Sequence, residues 1–134
     1  MAKTFGQMAG EAMAEVPGIS PQEAYRRLQE APNTLLVDVL DLADRRALGQ
    51  PVGSVPISAG MLAVRADQEL PESFRDERLQ DRSRPIITIC VSGGVSACGA
   101  KTLKDMGFID VSYVEGGTVA WTEAGLPLEQ PSDS

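Results

Sequence analysis

The chain has 134 residues, 43% hydrophobic, 4% aromatic and 23% charged, with a formal net charge of −7 and no histidine. This length and composition are typical of one globular domain with an aliphatic core. The sequence has no basic stripe, no run near the roughly 20 apolar residues of a membrane span, and too few cysteines for a thiolate cage. We therefore expect no nucleic-acid partner, no membrane partner, no metal and no cofactor.

The two ends of the chain carry weak structural signals. The Ala, Met and Glu content of residues 1–18 would allow a short helix, but three glycines indicate a flexible N-terminal arm. This segment lacks an apolar h-region, and a disulfide framework is not indicated, so we expect a cytoplasmic protein. Residues 129–134 are predicted to be a disordered tail.

Strand and helix patterns alternate between these ends. Ser20 and Glu23 form a capping-box pattern with proline at the first helical position. Helices are predicted over 21–30, 60–66, 72–80, 96–106 and 118–124, with one or two helical turns over 41–49. Strands are predicted over 34–39, 55–58, 84–91 and 110–115. The alternation favours an α/β domain with a mainly parallel sheet.

The stretch "PIITICVSGGVSACGA" places Cys90 where a buried strand meets a glycine-rich loop. Ligands of open parallel sheets bind beyond the carboxyl ends of the strands, and the next helix directs its N-terminal amides at the same place. We therefore predict that Cys90 is a catalytic nucleophile whose thiolate is stabilised by a cradle of backbone amides. These amides belong to Val91, Ser92, Gly93, Gly94, Val95 and Ser96. The alternative is a buried structural cysteine, since free cysteine often fills strand interiors.

Three stretches, in colinear order, resemble rhodanese-like domains. "CVSGGVSACGAKTLKDMGF" is similar to the active-site loop and following helix of that family, and "VSYVEGGTVAWTEAGLPL" to its closing motif. "LLVDVLDLADRRALGQPVGSVPIS" is similar to its strand-and-loop segment. The resemblance implies a single rhodanese-like domain over 19–128, with a five-stranded, mainly parallel sheet flanked by helices on both faces. It also implies that Cys90 carries sulfane sulfur as a persulfide and that Asp38 supports the neighbouring backbone.

The sequence departs from the common family pattern at three pocket positions. Val95 and Leu40 stand where the family often has arginine, and Gln50 stands where it has histidine. Arginine is the natural bidentate partner of an oxyanion, so we expect weak turnover of thiosulfate. The expected partners are a sulfur donor and a thiol or small nucleophile as acceptor, with a protein partner and a monomer or homodimer left open.

Two other functions are alternatives to the sulfurtransferase activity that the resemblance implies. Cysteine-dependent phosphatases of this topology need an arginine six residues after the cysteine, where this chain has Ser96, so phosphate-ester hydrolysis is disfavoured. The loss of pocket charges favours a catalytically attenuated module that binds a partner protein or small ligand, whereas the retention of Cys90 favours the enzyme. Cys98 is interpreted as a surface cysteine, with a resolving thiol as the alternative.

Overall fold

A computed structural model describes residues 2–132 of the protein. Within this range the chain forms seven β-strands and six α-helices. The strands are β1 (Gly18–Ile19), β2 (Leu35–Asp38), β3 (Gln50–Pro51), β4 (Val55–Pro56), β5 (Ile86–Ile89), β6 (Val111–Val114) and β7 (Leu128–Glu129). The α-helices are α1 (Phe5–Glu15), α2 (Pro21–Glu30), α3 (Leu42–Leu48), α4 (Leu62–Ala66), α5 (Gly94–Asp105) and α6 (Gly117–Glu123). No helix in this range is long and apolar enough to cross a membrane.

Five strands form one parallel sheet in the order β1-β6-β5-β2-β4, which places β5 at its centre. Alternate residues of β2 point to opposite faces: Leu35 and Val37 join a core cluster that includes α1 and α5 residues, whereas Leu36 packs with Trp121 of α6. Helices therefore cover both faces. The predicted α/β fold with a five-stranded, mainly parallel sheet is confirmed.

The helix predicted over 21–30 agrees with the structure, and a buried tryptophan lies on α6. Helix α2 spans Pro21–Glu30, and the Glu23 N–H donates to the Ser20 hydroxyl at 3.0 Å. Trp121 is buried, and its indole N–H donates to the Pro127 carbonyl at 3.0 Å. The sequence rules for caps and buried aromatics hold at these positions because the local signals are strong.

The region predicted as a helix over 72–80 differs in the structure. It contains two short 3-10 turns, at Glu72–Phe74 and Glu77–Leu79, separated by extended backbone. The Asp76 carboxylate accepts the Arg78 N–H at 2.9 Å and pairs with the Arg78 guanidinium at 2.7 Å. This local side-chain contact starts a new turn at Asp76 instead of continuing a helix.

The N-terminal segment is a correction to the expected flexible arm over 1–18. Helix α1 forms over Phe5–Glu15, and Met1 lies outside the described residues. Thr4 and Gln7 form a reciprocal capping box, with distances of 3.1 and 2.9 Å. Ala9 and Ala12 are buried, which indicates that tertiary packing overcomes the helix-weakening effect of the glycines.

The segment predicted as a tail over 129–134 begins inside β7. Glu129 pairs with Gln50 in a two-stranded antiparallel ribbon, and the Glu129 carboxylate accepts the Gly53 N–H at 3.2 Å. Residues 133 and 134 lie outside the described residues.

Helices α1 and α5 pack side by side and run in the same direction. At their starts, a Cβ atom added to Gly94 would lie 3.1 Å from two ring carbons of Phe5. At their ends, the Lys104 ammonium donates to the Glu15 carbonyl at 3.0 Å. The N-terminal ends of both helices therefore lie near the carboxyl end of the central strand, β5.

Candidate active site

Cys90 follows the last residue of β5, the central strand, and its side chain is only 2% exposed. The next helix, α5, begins at Gly94, two residues earlier than predicted. Gly93 serves as its N-cap with a left-handed φ of 115°, a conformation that glycine adopts without strain. Because of this sharp turn, α5 begins only four residues after Cys90, and its first turn lies close to the sulfur.

The Cys90 sulfur is held by three hydrogen bonds. The backbone N–H groups of Gly93 and Ser96 donate to Sγ at 3.1 and 3.2 Å. The thiol donates to the Ser96 hydroxyl oxygen at 3.2 Å, and that hydroxyl donates to the Gly93 carbonyl at 3.1 Å. The sulfur therefore contacts peptide N–H groups and a hydroxyl, although Cys90 is almost completely buried and belongs to a hydrophobic core cluster.

The six loop amides expected to form the cradle take different positions. The amides of Gly93 and Ser96 contact the sulfur, as described above. Within residues 2–132, the other four make no hydrogen bond to Sγ; they belong to Val91, Ser92, Gly94 and Val95. Gly94 and Val95 are in the first turn of α5, where N–H groups lack helical acceptors and can bind an anion.

The main chain of the loop is fixed by the start of α6. The Cys90 carbonyl accepts the Thr118 N–H at 2.8 Å and the Thr118 hydroxyl at 3.1 Å, and the Val91 carbonyl accepts the Val119 N–H at 3.2 Å. Gly117 has a φ of 58°, and a Cβ atom there would lie 2.5 Å from the Val91 carbonyl oxygen. Glycine is therefore required for α6 to approach the loop this closely.

Asp38 lies next to Cys90 on the neighbouring strand, because it pairs in register with Ile89. Its carboxylate is fully buried; Oδ1 accepts the Leu40 N–H at 3.1 Å, and Oδ2 has no partner among the described residues. Burial raises the pKa of Asp38 to about 6, although the Leu40 N–H and the Arg45 charge oppose this shift. Asp38 thus contacts the neighbouring backbone at Leu40, and its supporting role at the site stays a prediction.

Sequence reasoning missed the position of Arg45. Its guanidinium donates to the Leu40 carbonyl at 3.2 Å and to the Gln50 side-chain oxygen at 2.9 Å. Leu40 and Gln50 are two of the three positions at which the common family pattern has a charged or titratable residue. A cation therefore lies beside these two neutral positions. The one signal for this contact in the sequence is that Arg45 is five residues from both Leu40 and Gln50.

Three other basic residues, Arg65, Lys101 and Lys104, bond to groups outside the cysteine loop. Arg65 donates to the Phe74 carbonyl at 2.8 Å, and Lys101 pairs with Asp105 at 3.0 Å and with Glu15 at 3.4 Å. Lys104 contacts the C-terminal end of α1, as described above. None of these contacts, among the described residues, involves Cys90 or its loop.

Cys98 differs from the expected surface cysteine, because it is partly buried in α5 and packs beside the core. Burial raises the pKa of its thiol, the nearby Cys90 adds to the shift, and Lys101 opposes it. A raised pKa reduces the thiolate fraction at neutral pH, so Cys98 is poorly suited to nucleophilic attack.

A family model for the rhodanese-like domain matches residues 20–124. The chain belongs to the rhodanese-like family. It is 32% identical over 111 residues to the thiosulfate sulfurtransferase GlpE of Actinobacillus pleuropneumoniae, which covers 83% of this chain and 91% of that protein. The family assignment made from the three motifs is therefore confirmed.

Two solved structures extend the rhodanese-like comparison. The polysulfide-sulfur transferase homodimer of Wolinella succinogenes superposes with a TM-score of 0.76 at 30% identity, over 96% of this chain and 89% of that one. A Rhodopseudomonas palustris protein of unknown function, described as a possible tyrosine phosphatase, gives a TM-score of 0.88 at 28% identity over 96% of both chains. Since 96% of 134 residues leaves out only about five, both likenesses include most of helix α1, which precedes the family match.

Proposed function

We propose that this protein is a sulfurtransferase that carries sulfane sulfur as a persulfide on Cys90. The observation that carries the proposal is the placement of Sγ against the N–H groups of Gly93 and Ser96 at the start of a twelve-residue helix. Such a site stabilises the thiolate, which is the nucleophile in attack on a sulfur–sulfur bond. The likeness to named sulfur transferases supports the same chemistry.

The reaction has two displacement steps. The Cys90 thiolate attacks the outer sulfur of a donor R–S–SH; the sulfur–sulfur bond breaks, the thiolate RS⁻ leaves with the electron pair, and Cys90–S–SH remains. A nucleophilic acceptor then attacks the outer sulfur, and the Cys90 thiolate leaves. The amides of Val91, Ser92, Gly94 and Val95 are the proposed donors to the outer sulfur, since two of them lie at the open end of α5.

A neutral or protein-bound persulfide is the proposed donor, and thiosulfate is proposed to be a poor one. Thiosulfate presents a charged sulfonate, while Val95 supplies neither the charge nor the bidentate hydrogen bonds of an arginine. The net charge of −7 adds a weak, salt-screened repulsion of anions.

The test is intact-mass measurement after incubation with persulfide donors. The wild type should gain one sulfur that cyanide or sulfite removes. Cys90→Ser should gain none, whereas the matched control Cys98→Ser should gain sulfur like the wild type. If the wild type stays inert with every donor, the carrier function is rejected.

The alternative is a rhodanese-like module that binds a partner protein or small ligand without turnover. The neutral residues Leu40, Gln50 and Val95 favour it, because they remove the side chains with which the common pattern would hold an anion. An inert wild type that still binds a partner would support this alternative. Tyrosine-phosphatase activity is disfavoured, since Ser96 occupies the position where such a loop needs arginine.

A further inference from the structure

The side chain of Phe5, in the first turn of α1, lies beside the cysteine loop. Its ring covers Gly94, the first residue of α5, so closely that a Cβ atom there would lie 3.1 Å from Cε2 and Cζ. The backbone of Gly94 is helical rather than left-handed, so a side chain at this position would meet the ring of Phe5 and not a backbone restriction. Phe5 is nevertheless 56% exposed, so much of the residue remains accessible to solvent.

Two further exposed apolar side chains belong to the segments around the same loop. Val95, the second residue of α5, is 37% exposed, and Val119, whose N–H bonds to the Val91 carbonyl, is 44% exposed. Single exposed apolar residues are ordinary at protein surfaces. Phe5, Val95 and Val119 lie in the first turns of α1, α5 and α6, and each of these turns adjoins the cysteine loop. Apolar side chains commonly line the sites that bind organic ligands.

We propose that Phe5, in a helix that precedes the family match, is a specificity-determining residue that favours sulfur donors with an apolar organic group. This inference rests on the proposed sulfurtransferase function. While the donor's outer sulfur lies at Cys90, its organic group covers the exposed face of Phe5, with Val95 and Val119 as neighbours. The absence of arginine at position 95 then favours apolar donors as well as disfavouring anionic ones.

Two organic thiosulfonates test the inference because they share a reactive group and a charge. Methanethiosulfonate and benzenethiosulfonate both have the form R–SO₂–S⁻. The Cys90 thiolate attacks the terminal sulfur, the sulfur–sulfur bond breaks, and the sulfinate R–SO₂⁻ leaves with the electron pair, so that Cys90–S–S⁻ remains. The intrinsic reactivities of the two donors are the same for every variant, so a change on mutation in the ratio of kcat/KM for the benzene donor to kcat/KM for the methane donor reports the contact of the R group.

We expect Phe5→Ala to lower this ratio by about five- to tenfold, the effect of losing about 40–60 Å² of covered apolar surface. Phe5→Leu keeps an apolar side chain against Gly94 and should lower the ratio less. Met13→Ala is the matched control, since Met13 is 41% exposed on the same helix, two turns from Phe5, and should leave the ratio unchanged. Circular dichroism of each variant checks that α1 remains folded.

The outcomes separate the two proposals. If neither donor adds sulfur to the wild type and persulfides also fail, the proposed function is rejected. If both donors add sulfur but Phe5→Ala changes the ratio by less than about twofold, or no more than Met13→Ala does, the role of Phe5 is rejected while the sulfurtransferase stands.

Discussion

Ser96 contacts the sulfur of Cys90 twice: its backbone N–H donates to Sγ at 3.2 Å, and its hydroxyl oxygen lies 3.2 Å from the same atom. The hydroxyl can accept the thiol hydrogen or, after rotation, donate to the thiolate. One buried side chain thus serves both protonation states of the nucleophile.

Removing that hydroxyl should slow the loading of sulfur on Cys90. We expect Ser96→Ala to lower kcat/KM about tenfold, the effect of one lost hydrogen bond of roughly 1–1.5 kcal/mol. Ser92→Ala removes a hydroxyl from an exposed position of the same loop and should have a far smaller effect. Stopped-flow loading with a persulfide donor measures both variants, and equal rates would contradict a direct role for the Ser96 hydroxyl.

An arginine at position 95 should improve the use of thiosulfate. Val95 is 37% exposed at the start of α5, so a longer side chain fits without displacing the core. We expect Val95→Arg to raise kcat/KM for thiosulfate about tenfold through charge-assisted hydrogen bonds to the sulfonate. Val95→Gln, which adds length without charge, should give little of this gain; if it matches the arginine variant, charge is not what the pocket lacks.

Gly117 should tolerate no side chain. Gly117→Ala places a Cβ atom against the main chain of Val91 and adds left-handed strain, so we expect the free energy of unfolding to fall by more than about 3 kcal/mol. Gly125→Ala is the matched control: its φ is 71°, but a Cβ atom there meets nothing within 4 Å, and strain alone costs about 1 kcal/mol. Urea unfolding measures the difference, and similar losses would show that packing against the loop is unimportant.

Asp38 should make the stability of the protein depend on pH. Its pKa rises from 3.8 to about 6 in the folded state, so its favourable contribution is full below about pH 4 and is lost as pH rises through 6. We therefore expect Asp38→Asn, which cannot ionise, to gain about 2–3 kcal/mol of unfolding free energy relative to the wild type between pH 4 and pH 7. Urea midpoints across this range test it; a difference that does not change with pH would show that Asp38 does not titrate there.

The sequence predicted the region around Cys90 better than it predicted the surroundings. Strand β5, the loop and helix α5 follow from strong local signals, namely a β-branched run, two glycines and a helical pattern. Helix α1 was missed because its glycines weaken the local preference, while its stability comes from burying Ala9 and Ala12; the capping box of Thr4 and Gln7 was the signal available in the sequence.

The position of Arg45 could not be predicted for a different reason. Its contacts with the Leu40 carbonyl and the Gln50 side chain depend on how α3 turns back towards the end of β2. Pattern rules place residues on helices and strands but do not orient a long, flexible side chain. The same holds for Phe5, whose contact with Gly94 exists only once α1 has packed on α5.

The loop that carries Cys90 is anchored to α6 mainly through its peptide groups: the carbonyls of Cys90 and Val91 accept the hydrogen bonds that hold it. Because backbone groups make these hydrogen bonds, exposed side chains such as those of Ser92 and Val95 can be substituted while the loop keeps its attachment to α6. One or two substitutions at such exposed positions can therefore change which sulfur donor or acceptor the protein uses, while the hydrogen bonds between the loop and α6 remain.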